Sequence, residues 1–421
     1  MNGAPKYTAK NVELVGYHDL NGDAAFKIAV QVAEGRWYLY LTDFWKSGII
    51  ILDVTDPENP VYLNEVTPAG GPVNTWVTNL QVADGLMITS MEKLPDGWGG
   101  DYRPEEPENY QAGIIIWDVK TDPVHPKELA RWSCNGLGSH RNLYTGDGFV
   151  HLAVNLAGYA GNLYVILDIR DLNNIRETGR WFVPEQFVAG GGDPTVPGVP
   201  YAYCGLHGPA QVEGDRAYLP YGHSGAIILD VSDYRCPTQI SRLTFGNALC
   251  NPLGVHTYLP IPTRKLAIVS GEAIYEKSEE PRNYAMIVDV KDEKQPRVLS
   301  IFPMPVPEPD APYGNFQTRG GRCGPHNWHM YQTGKDYIDY DDTLVFNAHF
   351  NAGLRAYDIS DPYVPREVGF FLPEDPAVRR GPLPKALTVS FEDILIDSRK
   401  NMYVTDKNYG LFILRYTGEK K

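Results

Sequence analysis

The chain has 421 residues, of which 43% are hydrophobic, 12% aromatic and 21% charged, with a formal net charge of -14. These proportions describe a globular protein able to bury a large core. No window holds the ~18 uncharged apolar residues that a spanning helix needs, which excludes a membrane partner, and the acidic balance excludes nucleic acid, whose phosphates need a basic surface.

The first residues, MNGAPKYTAKNVELVGYHDL, lack the apolar core of a secretory signal, so the expected location is cytoplasmic. Lys10 to Tyr17 reads as an outer strand without a sheet of its own. From Gly48 a unit recurs, in which a Gly-apolar-apolar-apolar-Asp strand is followed by a turn and a second short strand that often begins after proline. The copies are GIIILDVTDPENPVYLNEV from Gly48, GIIIWDVKTDPVHPKELARW from Gly113, LYVILDIRDLNNIRETGRW from Leu163, GAIILDVSDYRCPTQISRL from Gly225, AMIVDVKDEKQPRVLSIF from Ala285 and GLRAYDISDPYVPREVGFF from Gly353. Their aspartates, Asp53, Asp118, Asp168, Asp230, Asp289 and Asp358, fall at intervals of 65, 50, 62, 59 and 69 residues, which suits four strands with variable loops. No helical periodicity competes. The aspartates suit turns in which the side chain accepts from its own backbone, a structural role.

A further apolar strand, YGLFILRYTG from Tyr409, lacks its outer partner, and Lys10 to Tyr17 supplies one. The fold class expected is therefore all-β: a seven-bladed β-propeller of four-stranded antiparallel blades, forming a single domain over 1–421. In it the N-terminal strand 10–17 pairs with the C-terminal blade 385–417, which removes the free sheet edges.

The strings IIILDVTDP, AIILDVSD and MIVDVKD resemble the motif after which the LVIVD-repeat family is called. The resemblance covers nearly all of the chain. It implies a propeller and leaves activity open, because fold does not fix function.

Four times the tripeptide Gly-x-His opens an expected inner strand: Gly138-Ser139-His140, Gly205-Leu206-His207, Gly254-Val255-His256 and Gly324-Pro325-His326. Inner strands line the axis of a propeller, so His140, His207, His256 and His326 are expected to converge on a metal ion. Four neutral imidazoles suit divalent iron, which is preferred, and also copper, zinc or manganese. The arrangement is similar to that of the carotenoid cleavage oxygenases, propellers with a ferrous ion on four channel histidines and a second shell of glutamates; no sequence motif of that family is present. His329 is a lesser candidate, facing the other way along a regular strand. Cysteines at 134, 204, 250 and 323 lie three or six residues before these histidines; packing under the rim competes with redox pairing or ligation.

Long connections at 92–112, 184–204, 272–284, 303–325 and 373–388 fall on one expected face, above the histidines. Glu92, Glu272 and Glu392 are the candidate carboxylates, either orienting ligands from behind or moving a proton as catalytic groups. The expected substrate-binding wall comprises Trp76, Tyr203, His223, Trp328, His349 and Phe391, with Trp98, Tyr102, Tyr201, Tyr313, Phe316 and Tyr331 beside them. Arg319, Arg322, Arg379 and Arg380 are either loop arginines or a positive mouth. The function expected is a metal-dependent oxygenase or oxidoreductase acting on a small aromatic or unsaturated substrate. A metal-assisted lyase or hydrolase is the first alternative, and a non-catalytic propeller that binds a protein partner is the second.

Overall fold

The computed structural model describes residues 3–419 apart from 71–72, 97, 99–101, 197–198, 200–201, 247–250, 277–278 and 333. Among the described residues α-helix is confined to Phe316–Arg319, and no helix is long and apolar enough to cross a membrane. Antiparallel four-stranded meanders follow one another along the chain. The first comprises Ala25–Ala33, Arg36–Asp43, Ile49–Asp53 and Val61–Val66. The second (Thr75–Ala83, Leu86–Lys93, Gly113–Asp118, Lys127–Ser133) and third (Gly138–Leu143, Phe149–Asn155, Leu163–Asp168, Arg176–Trp181) are joined into one sheet through the pair Gly138–Glu92. The fourth comprises Gln211–Glu213, Arg216–Pro220, Ala226–Asp230 and Thr238–Leu243, and the fifth Thr257–Ile261, Leu266–Ser270, Ala285–Asp289 and Arg297–Ile301.

The two ends of the chain meet in the remaining sheets. Val12–His18 pairs with Gly410–Tyr416, outside Met402–Asp406 and Phe391–Ile396, so the last meander takes its outer strand from the amino terminus. Tyr7–Lys10, not anticipated as a strand, adds outside Arg366–Pro373 in the sixth meander, beside Leu354–Asp358 and Leu344–Ala348.

Physical reasons for the repeat are visible in its third strands. Ile49–Asp53, Gly113–Asp118 and their equivalents are buried on both faces, because each sheet stacks between two others, and a doubly covered strand reads as an unbroken apolar run. Each large apolar cluster accordingly joins neighbours: Tyr40 and Ile51 with Val77 and Ile115, Ile114 with Val165, Tyr164 with Ile227, and Ile228 with Val288. The series returns on itself where Leu41 and Ile50 pack against Tyr403 and Ile413. The repeated aspartates close turns: Asp53, Asp118, Asp168, Asp230, Asp289 and Asp358 each accept from the backbone N–H two residues on, at 2.8–3.1 Å. A second Asx turn follows each, at Asp56, Asp122, Asp171, Asp233, Asp292 and Asp361, and the outer strand beyond it carries a bulge at the equivalent place.

The stretch carrying Met330, Lys335, Ile338 and Tyr340 crosses the end of the inner strands away from the histidines. Gln211 Nε2 donates to Met330 Sδ at 3.1 Å, Lys335 Nζ to the Tyr144 carbonyl at 3.4 Å, and Asp339 N to the Ile396 carbonyl at 2.9 Å; Tyr340 meets Thr263 at 2.8 Å. Partners on four different meanders place this stretch across the axis.

A candidate metal centre

Each Gly-x-His copy hooks onto the preceding meander. The glycines have positive φ (112° at Gly138, 155° at Gly205, 78° at Gly254, 155° at Gly324). A Cβ would meet Met91 O at 2.3 Å, Asn162 N at 2.8 Å, the Gly222 carbonyl carbon at 2.5 Å and Asn283 Cβ at 2.7 Å respectively. Only glycine allows that approach, and the histidine two residues on is thereby aimed inward. Only the first copy lies in a regular strand, a correction to the expectation that all four open one. His207 and His256 precede Gln211–Glu213 and Thr257–Ile261, and His326 lies in extended chain held by the bridge Trp328–Asn347. Pro209 and Pro325 remove backbone donors that a ladder would need.

The four rings form a chain of contacts, with centroids 4.3 Å apart for His140–His207, 5.5 Å for His207–His256 and 5.1 Å for His256–His326. Glu272 stands among them, its carboxylate 3.3 Å from His207 Nε2, 3.6 Å from His256 Nε2 and 3.5 Å from His326 Nε2. On three of the rings the other nitrogen has an oxygen near it. His140 Nδ1 meets Glu92 at 2.7 Å, His256 Nδ1 meets the Thr257 hydroxyl at 3.0 Å, and His326 Nδ1 lies 3.2 Å from Glu392. Glu392 in turn accepts from Ser390 at 2.7 Å and from Lys407 at 3.1 Å, and Arg322 donates to Glu272 at 3.2 Å.

Burial sets the charge states. Removal from water pushes His140, His207 and His256 below the ordinary imidazole value, Arg141 adding to the effect, so these rings are neutral and their nitrogens available as donors to a metal. Burial also raises Glu92 to about 8. The same burial would raise Glu272 and Glu392, but facing histidines outweigh it at Glu272, holding it well below the usual carboxylate range, and Lys407 with His326 does so at Glu392, brought to about 2.

The donors fit a metal ion. His140 Nε2, His256 Nε2 and Glu272 Oε2 are buried without a hydrogen-bond partner, although buried polar atoms are nearly always satisfied. One atom each from His207, His256 and Glu272 lie within 4.8 Å of one another. A cation among His207, His256 and Glu272 would satisfy these three, with the oxygens near Nδ1 of His140, His256 and His326 placed as second neighbours are in metal sites; among the described residues this compact group of donors does not include His140 or His326. Asp23, Asp43 and Glu65 are similarly close, but Lys46 already lies among them, 3.9 Å from Asp43.

Among the aromatic candidates, Trp76 (ring 6.2 Å from His140) and Tyr203 (5.4 Å from His207) stand beside the centre. The Tyr203 hydroxyl donates to the Leu206 carbonyl at 3.2 Å and accepts from Asn162 N, bracing the His207 turn. Trp328 and Phe391 do not line a mouth. Trp328 is buried against Phe302 and Tyr357 with its indole N–H on Ser270 Oγ at 3.1 Å, and Phe391 is buried against Phe371 and Phe412, since both alternate onto the faces that stack between sheets. Phe316 and Tyr313 belong to the cluster around Phe370 and Arg355, and Tyr331 lies at the far end against Tyr340. His223 turns Nε2 to the Pro252 carbonyl at 3.2 Å, and His349 is buried with no ring contact to the four imidazoles among the described residues. His329 braces the far end, on Asp339 O at 2.9 Å. Cys204 and Cys323 pack in apolar clusters and Cys134 against another, where burial raises the thiols of Cys134 to about 11 and Cys323 to about 12; Cys250 and Tyr201 lie outside the described residues.

Residues without a sequence signal complete the surroundings. Phe350 stacks on His326 at 4.4 Å, Phe26 lies between His326 (5.9 Å) and Trp76 (5.5 Å), and Arg141 and Lys407 are buried cations beside them. Comparison across the repeats is the signal that singles out Arg141, a charged residue directly after an axial histidine.

Such a ring of stacked antiparallel sheets with polar side chains gathered at its centre defines a β-propeller. In agreement, the structure superposes on the β-propeller domain of Myceliophteria thermophila Cps50 (Swd1) with a TM-score of 0.54 and 10% identity, over 93% of this chain and 96% of that one. It superposes on Saccharomyces cerevisiae Sqt1 with a TM-score of 0.51 and 8% identity, over 98% and 100%. These likenesses concern the fold alone. The family model described as LVIVD repeat matches residues 29–67, over the first meander of a β-propeller fold. No curated protein matches the sequence.

Proposed function

We propose that the chain is a metal-dependent oxidoreductase of the oxygenase type, a seven-bladed propeller with a transition metal, iron(II) by preference, on His140, His207, His256 and His326. The observation that carries this reading is the division of labour within the rings. Nδ1 of His140, His256 and His326 faces an oxygen behind it, while the Nε2 atoms of His207, His256 and His326 face one carboxylate and that of His140 is buried without a partner. Four ring nitrogens leave room for one or two further positions, and a bound metal would supply Lewis acidity and, as iron, one-electron chemistry with dioxygen.

The chain's own groups then have separate tasks. Glu92 and Glu392 orient rings. Glu272, kept ionised, takes a coordination position through Oε2, the oxygen without a hydrogen-bond partner. Phe26, Trp76 and Phe350 form an apolar wall that limits water around the centre and suits a flat or unsaturated substrate. The unpartnered Oε2 equally favours a second reading, a metal-assisted lyase or hydrolase with Glu272 as base.

Elemental analysis of protein purified without chelator, paired with dioxygen uptake, tests both. About one transition-metal ion per chain is expected from a single axial site. Uptake coupled to turnover selects the oxygenase, metal-dependent turnover without uptake selects the lyase or hydrolase, and a metal-free chain leaves a non-catalytic propeller that binds a protein partner.

A further inference from the structure

Four largely buried cations stand around the histidines. Lys27 pairs with Asp393 at 2.7 Å, Arg322 with Glu272 at 3.2 Å and Lys407 with Glu392 at 3.1 Å. Arg141 is buried as deeply; among the described residues it has no ion pair in direct contact, and Glu272, Glu92, Asp393 and Glu392 act on it from further away. Its Nη1 donates to the His140 carbonyl at 2.9 Å, its guanidinium lies 5.0 Å from the centre of the Phe26 ring, and its Nε has no partner. A metal cation on the histidines would add positive charge to that of Arg141.

Two of these cations also line a cavity of about 150 Å³, in which Arg322, Lys407, Lys385 and Ser390 stand with Glu276 and Glu279, and Ile274, Tyr275 and Leu383 form its sides. Arg322 and Lys407 are the most buried of its cations and are the same groups that hold Glu272 and Glu392. Glu276, also in the lining, is turned away to the backbone N–H groups of Gly321 and Ala386 at 3.2 and 3.1 Å, where it ties the loops of the rim together. At the opposite end the Met330–Tyr340 crossing covers the axis.

Building on the metal reading above, we propose that the substrate is a small aromatic or unsaturated carboxylate, which enters through this cavity and is received by Arg322 and Lys407. Arg322 has further N–H donors beyond the one on Glu272, and the Lys407 ammonium has three, so each can hold its glutamate and meet an incoming carboxylate. Ile274, Tyr275 and Leu383 face the apolar part, and the positive potential of Arg141 favours negative charge at the centre.

Calorimetric titration with benzoate and cinnamate against benzamide and cinnamamide, on protein whose metal content is measured in the same preparation, tests this without relying on turnover. At one metal per chain, at least one acid is expected to bind about tenfold or more tightly than its amide, and Arg322→Met and Lys407→Met, each loaded to the same metal content before titration, are each expected to lower that preference severalfold. Acids that do not bind, or amides that bind as tightly, overturn the substrate class while the metal reading stands; a chain without metal overturns both. An acid preference that persists in full in both variants, with metal retained, assigns the anion to the metal alone and removes the role given to the two cations.

Discussion

His256 illustrates what one side chain needs in order to serve as a ligand here. Its ring is fully buried, burial keeps it neutral, Thr257 faces Nδ1, and Nε2 lies 3.6 Å from Glu272 without a hydrogen-bond partner among the described residues. Replacing one such ring removes a donor without touching the stacked sheets, so His207→Ala is expected to lower metal content at least about tenfold while the far-ultraviolet circular dichroism stays unchanged. Glu92 acts through His140 and is a positioning residue; Glu92→Gln is expected to weaken metal affinity about 10–100-fold, measured by competition with a chelator. The four histidines were legible because glycine at a fixed offset repeats with them. Glu272 was legible only as a carboxylate near the site, since its place among the Nε2 atoms depends on how a neighbouring sheet is tilted. Trp328 and Phe391 were misplaced because an aromatic residue near an inner-strand start fits a channel wall and an inter-sheet core equally well, and register decides between them.

At the scale of single elements, the double Asx turn is the repeat's most regular feature. Asp118 accepts from Lys120 N and Thr121 N at 2.8 and 3.0 Å and is far from the histidines. Asp118→Ala is therefore expected to destabilise by ~1 kcal/mol in denaturant titration, with metal content unchanged. The crossing stretch titrates differently. Lys335 is buried with its ammonium on Gln332 and the Tyr144 carbonyl, and burial brings it down to about 7. A depressed lysine favours the neutral form in the folded chain. Its contribution is present above the unfolded value near 10.5 and is lost as pH falls to about 7. Lys335→Met is accordingly expected to be more stable than the wild type by a few kcal/mol at pH 6, an order-of-magnitude figure, with the advantage shrinking as pH rises toward 10; denaturation series at several pH values check it. Outer strands and turns were readable because aspartate and proline mark them. The irregular inner segments at His207 and His326 were not, since proline breaks their ladders while the repeat pattern around them continues.

For the molecule as a whole, stability depends on the two ends meeting. Val12, Leu14 and Val15 are buried where Val12–His18 completes the last sheet, and at ~1.5–3 kcal/mol for each side chain their removal costs about 5 kcal/mol or more. Deleting residues 3–18 is expected to lower the unfolding midpoint sharply and to promote association through the bared edge of Gly410–Tyr416, visible by light scattering. This pairing could be read in the sequence because each end lacked the strand that the other held in surplus; Tyr7–Lys10 could not, since a short exposed strand at a sheet's outer edge has no apolar pattern. The central claim is that these sheets bring four imidazoles to one metal ion. Diffraction recorded across transition-metal absorption edges, from crystals grown without added metal, tests it most directly. A single anomalous peak bounded by Nε2 of His140, His207, His256 and His326 is the predicted result. No peak there, with the four rings bonded only to water and to Glu272, would contradict it.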